Sequence, residues 1–171
     1  MRQLAFIIIA LLLWECAGPY RHKLPLPAEN LKVVVFPFTT RGPGLSQRSE
    51  YIAADMLTVM LYTSKHIPVV DRSIVNDELS RRQVGNPYFL SRQTLKAVAD
   101  TLQASVVVLG TVENNIIRQR LNATRHTVTV TLRFLDGQTG DILYIDEYSE
   151  SAGQPPETLL DQCLRVLVDR L

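Results

Sequence analysis

The hydrophobic pattern of the chain changes period from segment to segment, and each change predicts an element. Residues 104–112 read ASVVVLGTV. The apolar run Val106, Val107, Val108 and Leu109 has no polar alternate, which predicts a strand covered on both faces. Gly110 within it predicts either a bulge or a close backbone approach. This stretch is the expected centre of a sheet. Residues 31–38 (LKVVVFPF) are similarly rich in β-branched and aromatic side chains and predict the first strand, with Pro37 placing its end at an edge or sheet exit. Residues 39–46, which include Gly42, Pro43 and Gly44, read as a loop.

From residue 47 to about 64 the period becomes helical, with Ile52, Met56, Val59, Met60 and Thr63 on one face, widened by Leu57 and Leu61. Residues 67–70 (IPVV) predict a short strand. Asp71 or Ser73 can then cap a helix over about 74–83 that buries Ile74, Val75 and Leu79. A turn-rich loop follows, carrying Tyr88 and Phe89, and apolar rings in such a loop are expected to fold inward. Ser91 caps a third helix over 92–103, with Leu95, Val98, Ala99 and Leu102 on its core face.

After Glu113 the character turns polar to residue 122. Residues 126–135 then alternate, with Val128, Val130, Leu132 and Phe134 inward and Thr127, Thr129, Thr131 and Arg133 outward. Residues 136–140 (DGQTG) predict a hairpin turn. The partner strand spans 141–150, with Leu143 and Ile145 on one side and Ile142 and Tyr144 on the other. Pro155 or Pro156 opens a last helix with a stripe of Leu159, Leu160, Cys163, Leu164, Leu167 and Leu171. The predicted order is β-α-β-α-α-β-β-β-α, an α/β fold whose mixed β-sheet is covered by helices.

Composition narrows the possible functions. The 171 residues are 46% hydrophobic and 20% charged, which describes one globular domain with a real core. Eighteen basic and 17 acidic side chains give a net charge of +1, so there is no basic face to argue for nucleic acid. The histidines His22, His66 and His126 have no second ligand at metal spacing, and neither a nucleophile elbow nor a zinc-protease motif is present. The glycine-bearing loop at 39–46 lacks the Lys-Ser/Thr pair of a phosphate loop. Neither an enzyme, a metal nor a cofactor is expected. Cys163 sits in an apolar stripe and reads as a buried, inert thiol.

The N-terminus adds an address. Arg2 precedes an apolar stretch from Leu4 to Trp14, too short to span a membrane and of the length of a secretory signal. It ends at Cys16, in the manner of a lipoprotein leader, although Trp14 and Glu15 stand where that motif has small residues. The expected organisation is a signal peptide over 1–15, a lipidated Cys16 with a short Pro-containing tether over 16–30, and the α/β domain over 31–171. A fourteen-residue tether at about 3.3 Å per residue reaches at most ~46 Å, so the domain stays near its membrane.

Residues 32–38 (KVVVFPF), 68–72 (PVVDR), 99–112 (ADTLQASVVVLGTV) and the alternating segment from Val128 through DGQTG to Leu143 resemble, in that order and behind a Cys-ended leader, the CsgG-type outer-membrane lipoprotein superfamily. The resemblance covers about residues 31–150 and implies a non-catalytic, lipid-anchored protein on the periplasmic face of the outer membrane. Curli-type channels in this superfamily carry long membrane-crossing insertions. Here residues 113–126 and the turn at 136 are too short for strands of about 9–11 residues each way. LpoB-like activators of peptidoglycan synthases reach out on a long arm, which this tether does not provide. The compact plan is most similar to the PelC-like branch. That similarity implies a homo-oligomeric ring beside an outer-membrane porin, with an acidic surface toward a cationic exopolysaccharide. Asp136, Asp141, Asp146, Glu147 and Glu150 are the candidate polymer-facing residues, and Tyr88 and Phe89 the candidate membrane or partner loop. A flagellar or other envelope-assembly role is a further alternative. Among acidic edges in general, protection of an edge strand from aggregation is the commoner reason for such charges.

Overall fold

The computed structural model describes residues 31–45, 47–118 and 124–171. The leader, Cys16, the tether and residues 119–123 lie outside that set. One mixed sheet organises the domain. β1 (Val33–Val35) and β2 (Thr39–Arg41) both pair parallel to β3 (Val106–Arg118) on the same side. β4 (Thr124–Asp136) and β5 (Ile142–Ala152) follow as antiparallel neighbours on the other side. The helices are α1 (Gln47–Lys65), α2 (Arg72–Arg81), α3 (Arg92–Leu102) and α4 (Pro156–Arg170), with a 3-10 turn at Pro87–Phe89. This is the expected α/β architecture, with the run at 106–109 at its centre.

Consecutive apolar residues on β1 and β3 have a direct structural use. α1 and α4 cover one face of the sheet, over Val33, Val35, Val106, Val108 and the inward side chains of β4. α2 and α3 cover the other, over Val34, Phe36, Val107 and Leu109. A strand buried on both faces has no place for a polar alternate. Val128, Val130, Leu132 and Phe134 point to the α1/α4 side and are all buried, as their alternation predicts. Leu95, Val98, Ala99 and Leu102 form the core face of α3 as expected, and Ser91 caps it by accepting from the Thr94 N–H. Asp71, rather than Ser73, caps α2.

Several expectations are corrected. Residues 39–41 are not loop: beyond Pro37 the chain re-enters the sheet as β2 and pairs with Thr111, Val112 and Glu113 of β3. The segment at 67–70 makes a single parallel bridge, Val33 to Val69, in place of a full strand. β3 does not end near Glu113. It runs to Arg118, because the antiparallel ladder with β4 satisfies its backbone although its side chains turn polar. On α1 the buried arc is Ala53, Ala54, Leu57, Met60 and Leu61, leaving Val59, Tyr62 and Thr63 outside. Small Ala53 and Ala54 face the sheet, so the helix packs on a different arc from the one its larger side chains suggest. Ile74 is 52% exposed, because the apolar core face of α2 is made by Val75 and Leu79. In β5 the pairing shifts register between Phe134 and Leu135, opposite Tyr144 and Ile142. The extra residue puts both Leu143 and Tyr144 against the core and leaves Ile142 and Ile145 exposed.

Gly110 serves a close approach, with no bulge in the β3–β4 pairing. A Cβ there would lie 2.3 Å from the Phe38 ring, which is itself buried. Gly110→Ala is therefore expected to destabilise the domain by about 1–3 kcal/mol through overpacking, read as a lower midpoint in urea unfolding. Unchanged stability would show that Phe38 is free to move aside.

Candidate functional site

The predicted acidic residues are all on the β4–β5 hairpin, but the fold sends them in different directions. Asp136 begins the hairpin turn. Its carboxylate accepts from the backbone N–H of Thr139 and of Gln138, each at 2.8 Å, and these bonds hold its pKa below the usual carboxylate value. Asp141 closes the turn and pairs with Arg92 of α3 at 3.0 Å. Along β5 the period of two divides the rest. Asp146 and Glu150 lie opposite Leu132 and Val128, on the α4 side, whereas Glu147 lies opposite Thr131 on the other face. Asp146 pairs with Arg170 of α4 at 3.2 Å and accepts from the Tyr144 hydroxyl. Glu150 accepts from the Tyr148 hydroxyl at 3.0 Å, a bond that pushes the Tyr148 phenol pKa up. The Arg170 guanidinium also lies 5.1 Å from the centre of the Tyr148 ring. Glu147 accepts from Thr131 at 2.8 Å, and among the described residues no cation pairs with it. The five do not converge on one spot. They form an acidic border along the free edge of the sheet, in which Asp141 and Asp146 have arginine partners.

The two rings of the Tyr88 loop part company. Tyr88 is half-buried, with the Arg133 guanidinium 4.3 Å and that of Arg41 5.7 Å from its ring centre. Asn86 caps the 3-10 turn through the Tyr88 N–H and also accepts from Thr39. This anchors the loop on the sheet face that α2 and α3 leave open. Phe89 turns outward and is 73% exposed, against the expectation that both rings fold inward. Tyr88 meets a pair of arginines brought from β2 and β4, a partnership invisible in the local sequence.

The opposite edge of the sheet holds a surface that the sequence reading missed. There a shallow groove of about 550 Å³ is lined by Leu31, Lys32, Tyr62, Pro68, Val69 and Gln103. A second hollow of about 230 Å³ adjoins it, sharing Tyr62 and Val69 and including Val59. Val59 and Tyr62 are 59% and 65% exposed, so α1 has an outward apolar stripe as well as its buried one. The available signal was that α1 is apolar on more than one side, a pattern that marks a helix with two contact surfaces.

Among the described residues, no cluster of three His, Cys, Asp or Glu could hold a metal ion, and no helix is long and apolar enough to cross a membrane. Cys163 lies on the buried face of α4, its Sγ 3.5 Å from the Val128 carbonyl oxygen, and burial pushes its pKa up to about 11. At pH 8 the folded protein therefore holds it as an unreactive thiol. In a Cys16→Ser chain, a thiol reagent is expected to label Cys163 only on addition of denaturant. Rapid labelling of the folded chain would contradict this burial.

No family model matches the chain, and no curated protein matches it in sequence. Its fold, however, is similar to those of several solved bacterial proteins. The lipoprotein GNA1162 from Neisseria meningitidis superposes with a TM-score of 0.61 at 18% identity, covering 82% of this chain and 96% of that one. PelC from Paraburkholderia phytofirmans, solved as a dodecamer, gives 0.61 at 14% identity over 87% of this chain and 93% of that one. The C-terminal domain of LpoB from Escherichia coli gives 0.53 at 16% identity, covering 78% and 94%. This chain thus has the α/β fold seen in PelC, LpoB and the neisserial lipoprotein.

Proposed function

We propose that this protein is a non-catalytic lipoprotein of an export apparatus, anchored through Cys16 at the periplasmic face of the outer membrane. Its copies assemble into a ring that guides an exopolysaccharide toward an outer-membrane porin. The observation that carries this reading is the similarity in fold to PelC over most of both chains, PelC having been solved as a dodecamer. The short stretch between Cys16 and β1 supports it physically, because it keeps every domain within about 46 Å of the bilayer, where a ring would meet a porin. Oligomers of identical chains close by rotation, and a single membrane-tethered domain with two different exposed edges suits that geometry.

A second reading comes from the similarity to LpoB, which would make the protein a membrane-anchored activator of a peptidoglycan synthase. Mass separates the two. The detergent-solubilised protein is expected to sediment as a multiple of its protomer mass. One protomer mass at every concentration would sink the ring and favour the activator. The wild-type chain is expected to take up a lipid label, and Cys16→Ser to abolish it. A wild-type chain that takes up no lipid label would remove the lipoprotein assignment.

A further inference from the structure

We infer that the groove at the 67–70 edge of the sheet receives the β5 edge of a second copy of this chain, in a head-to-tail contact. This rests on the assembly proposed above and names the surfaces that would make it. The sheet order runs from the Val69 bridge through β1, β3 and β4 to β5, so the groove and β5 are the two opposite ends of one sheet. Each end exposes apolar side chains that the domain itself does not cover. The groove end offers Val59 and Tyr62, and the β5 end offers Ile142 and Ile145, 56% and 55% exposed.

Charge selects which surface meets which. Lys32 lines the groove proper, where no carboxylate lies, the nearest being Asp71 in the adjoining hollow, and among the described residues no acidic side chain pairs with Lys32. At the other end the Glu147 carboxylate is exposed and, among the described residues, has no cationic partner, Arg170 reaching only its backbone carbonyl. It also shares a face with Ile142 and Ile145, since Glu147, Ile145 and Ile142 lie opposite Thr131, Arg133 and Leu135. An unpaired ammonium beside an apolar groove thus matches an unpaired carboxylate beside two isoleucines. Groove against groove would set Lys32 against Lys32, and β5 against β5 would set Glu147 against Glu147. Both like-ended pairings are disfavoured, and the unlike pairing is left. Pro68 has no backbone N–H to give, so the contact is one of side chains in a groove rather than an extension of the sheet. A contact between unlike ends is heterologous and repeats from copy to copy, which closes into a ring when the rotation permits. The inference places Glu147 in the subunit contact and away from any polymer path.

Opposite charge reversals test it on the detergent-solubilised full chain, with circular dichroism to establish folding. Lys32→Glu and Glu147→Lys, each alone, are expected to weaken assembly by roughly tenfold or more, because each sets like charges together. An equimolar mixture of the two variants is expected to recover wild-type assembly, since every contact between unlike variants again joins Glu to Lys. The chain carrying both reversals should recover it as well. If both single variants are folded and assemble like wild type, these surfaces are wrong while the assembly itself stands. Weakening by both variants without recovery in the mixture also overturns the pairing. A wild-type chain that remains a protomer at all concentrations removes this contact and the ring together.

Discussion

The structure depends on burying one strand from every side. β3 has parallel partners on one edge and an antiparallel partner on the other, and helices cover both faces of its first half. A backbone so enclosed must spend all its hydrogen bonds within the sheet, and the ladders to β1, β2 and β4 provide them. The absence of a side chain at Gly110 lets the Phe38 ring lie directly on the strand. Phe38 follows Pro37, where the chain leaves β1 before re-entering the sheet as β2, so one crowded spot joins the two parallel segments to the central strand.

That enclosure leaves the sheet with two dissimilar ends. At one, the described residues contribute a single bridge at Val69, and α1 overhangs it with Val59 and Tyr62. At the other, β5 runs eleven residues, and among the described residues no strand pairs with its outer edge. Natural edge strands of this length are usually guarded by charge or distortion. β5 has both, in its carboxylates and in its register shift, yet it still exposes Ile142 and Ile145. Guarding against indiscriminate pairing is compatible with the one specific neighbour proposed above, since charge can select it. Along the outside of the sheet Asp141 pairs with Arg92, Asp146 with Arg170, and Glu150 accepts from the Tyr148 hydroxyl.

Where one period dominated, the sequence could be read directly. The Thr–Val alternation of β4 and the four core positions of α3 allow only one choice of buried face. α1 resisted because large apolar residues occupy both the arc of Ile52, Met56 and Val59 and that of Leu57, Met60 and Leu61. The arc that packs is decided by how near Ala53 and Ala54 let the backbone come to the sheet. Helix stops were also hidden: His66 and Gln103, just past the ends of α1 and α3, take a left-handed backbone usually signalled by glycine. For the candidate sites, acidic residues were visible but their partners were not. Arg92 and Arg170 lie 49 and 24 positions from Asp141 and Asp146, and only the fold brings them together.

By itself, then, the sequence determined the class of fold, the identity of the central strand and the faces of the strongly periodic elements. These follow from local solvent preference, which is written residue by residue. The tertiary structure decided the register of β5, the outward turn of Phe89, the Tyr88–arginine stack and the groove beside Tyr62. Each of these depends on which distant segments are brought to lie together, and a one-residue slip or a rotated helix exchanges buried side chains for exposed ones at no local cost.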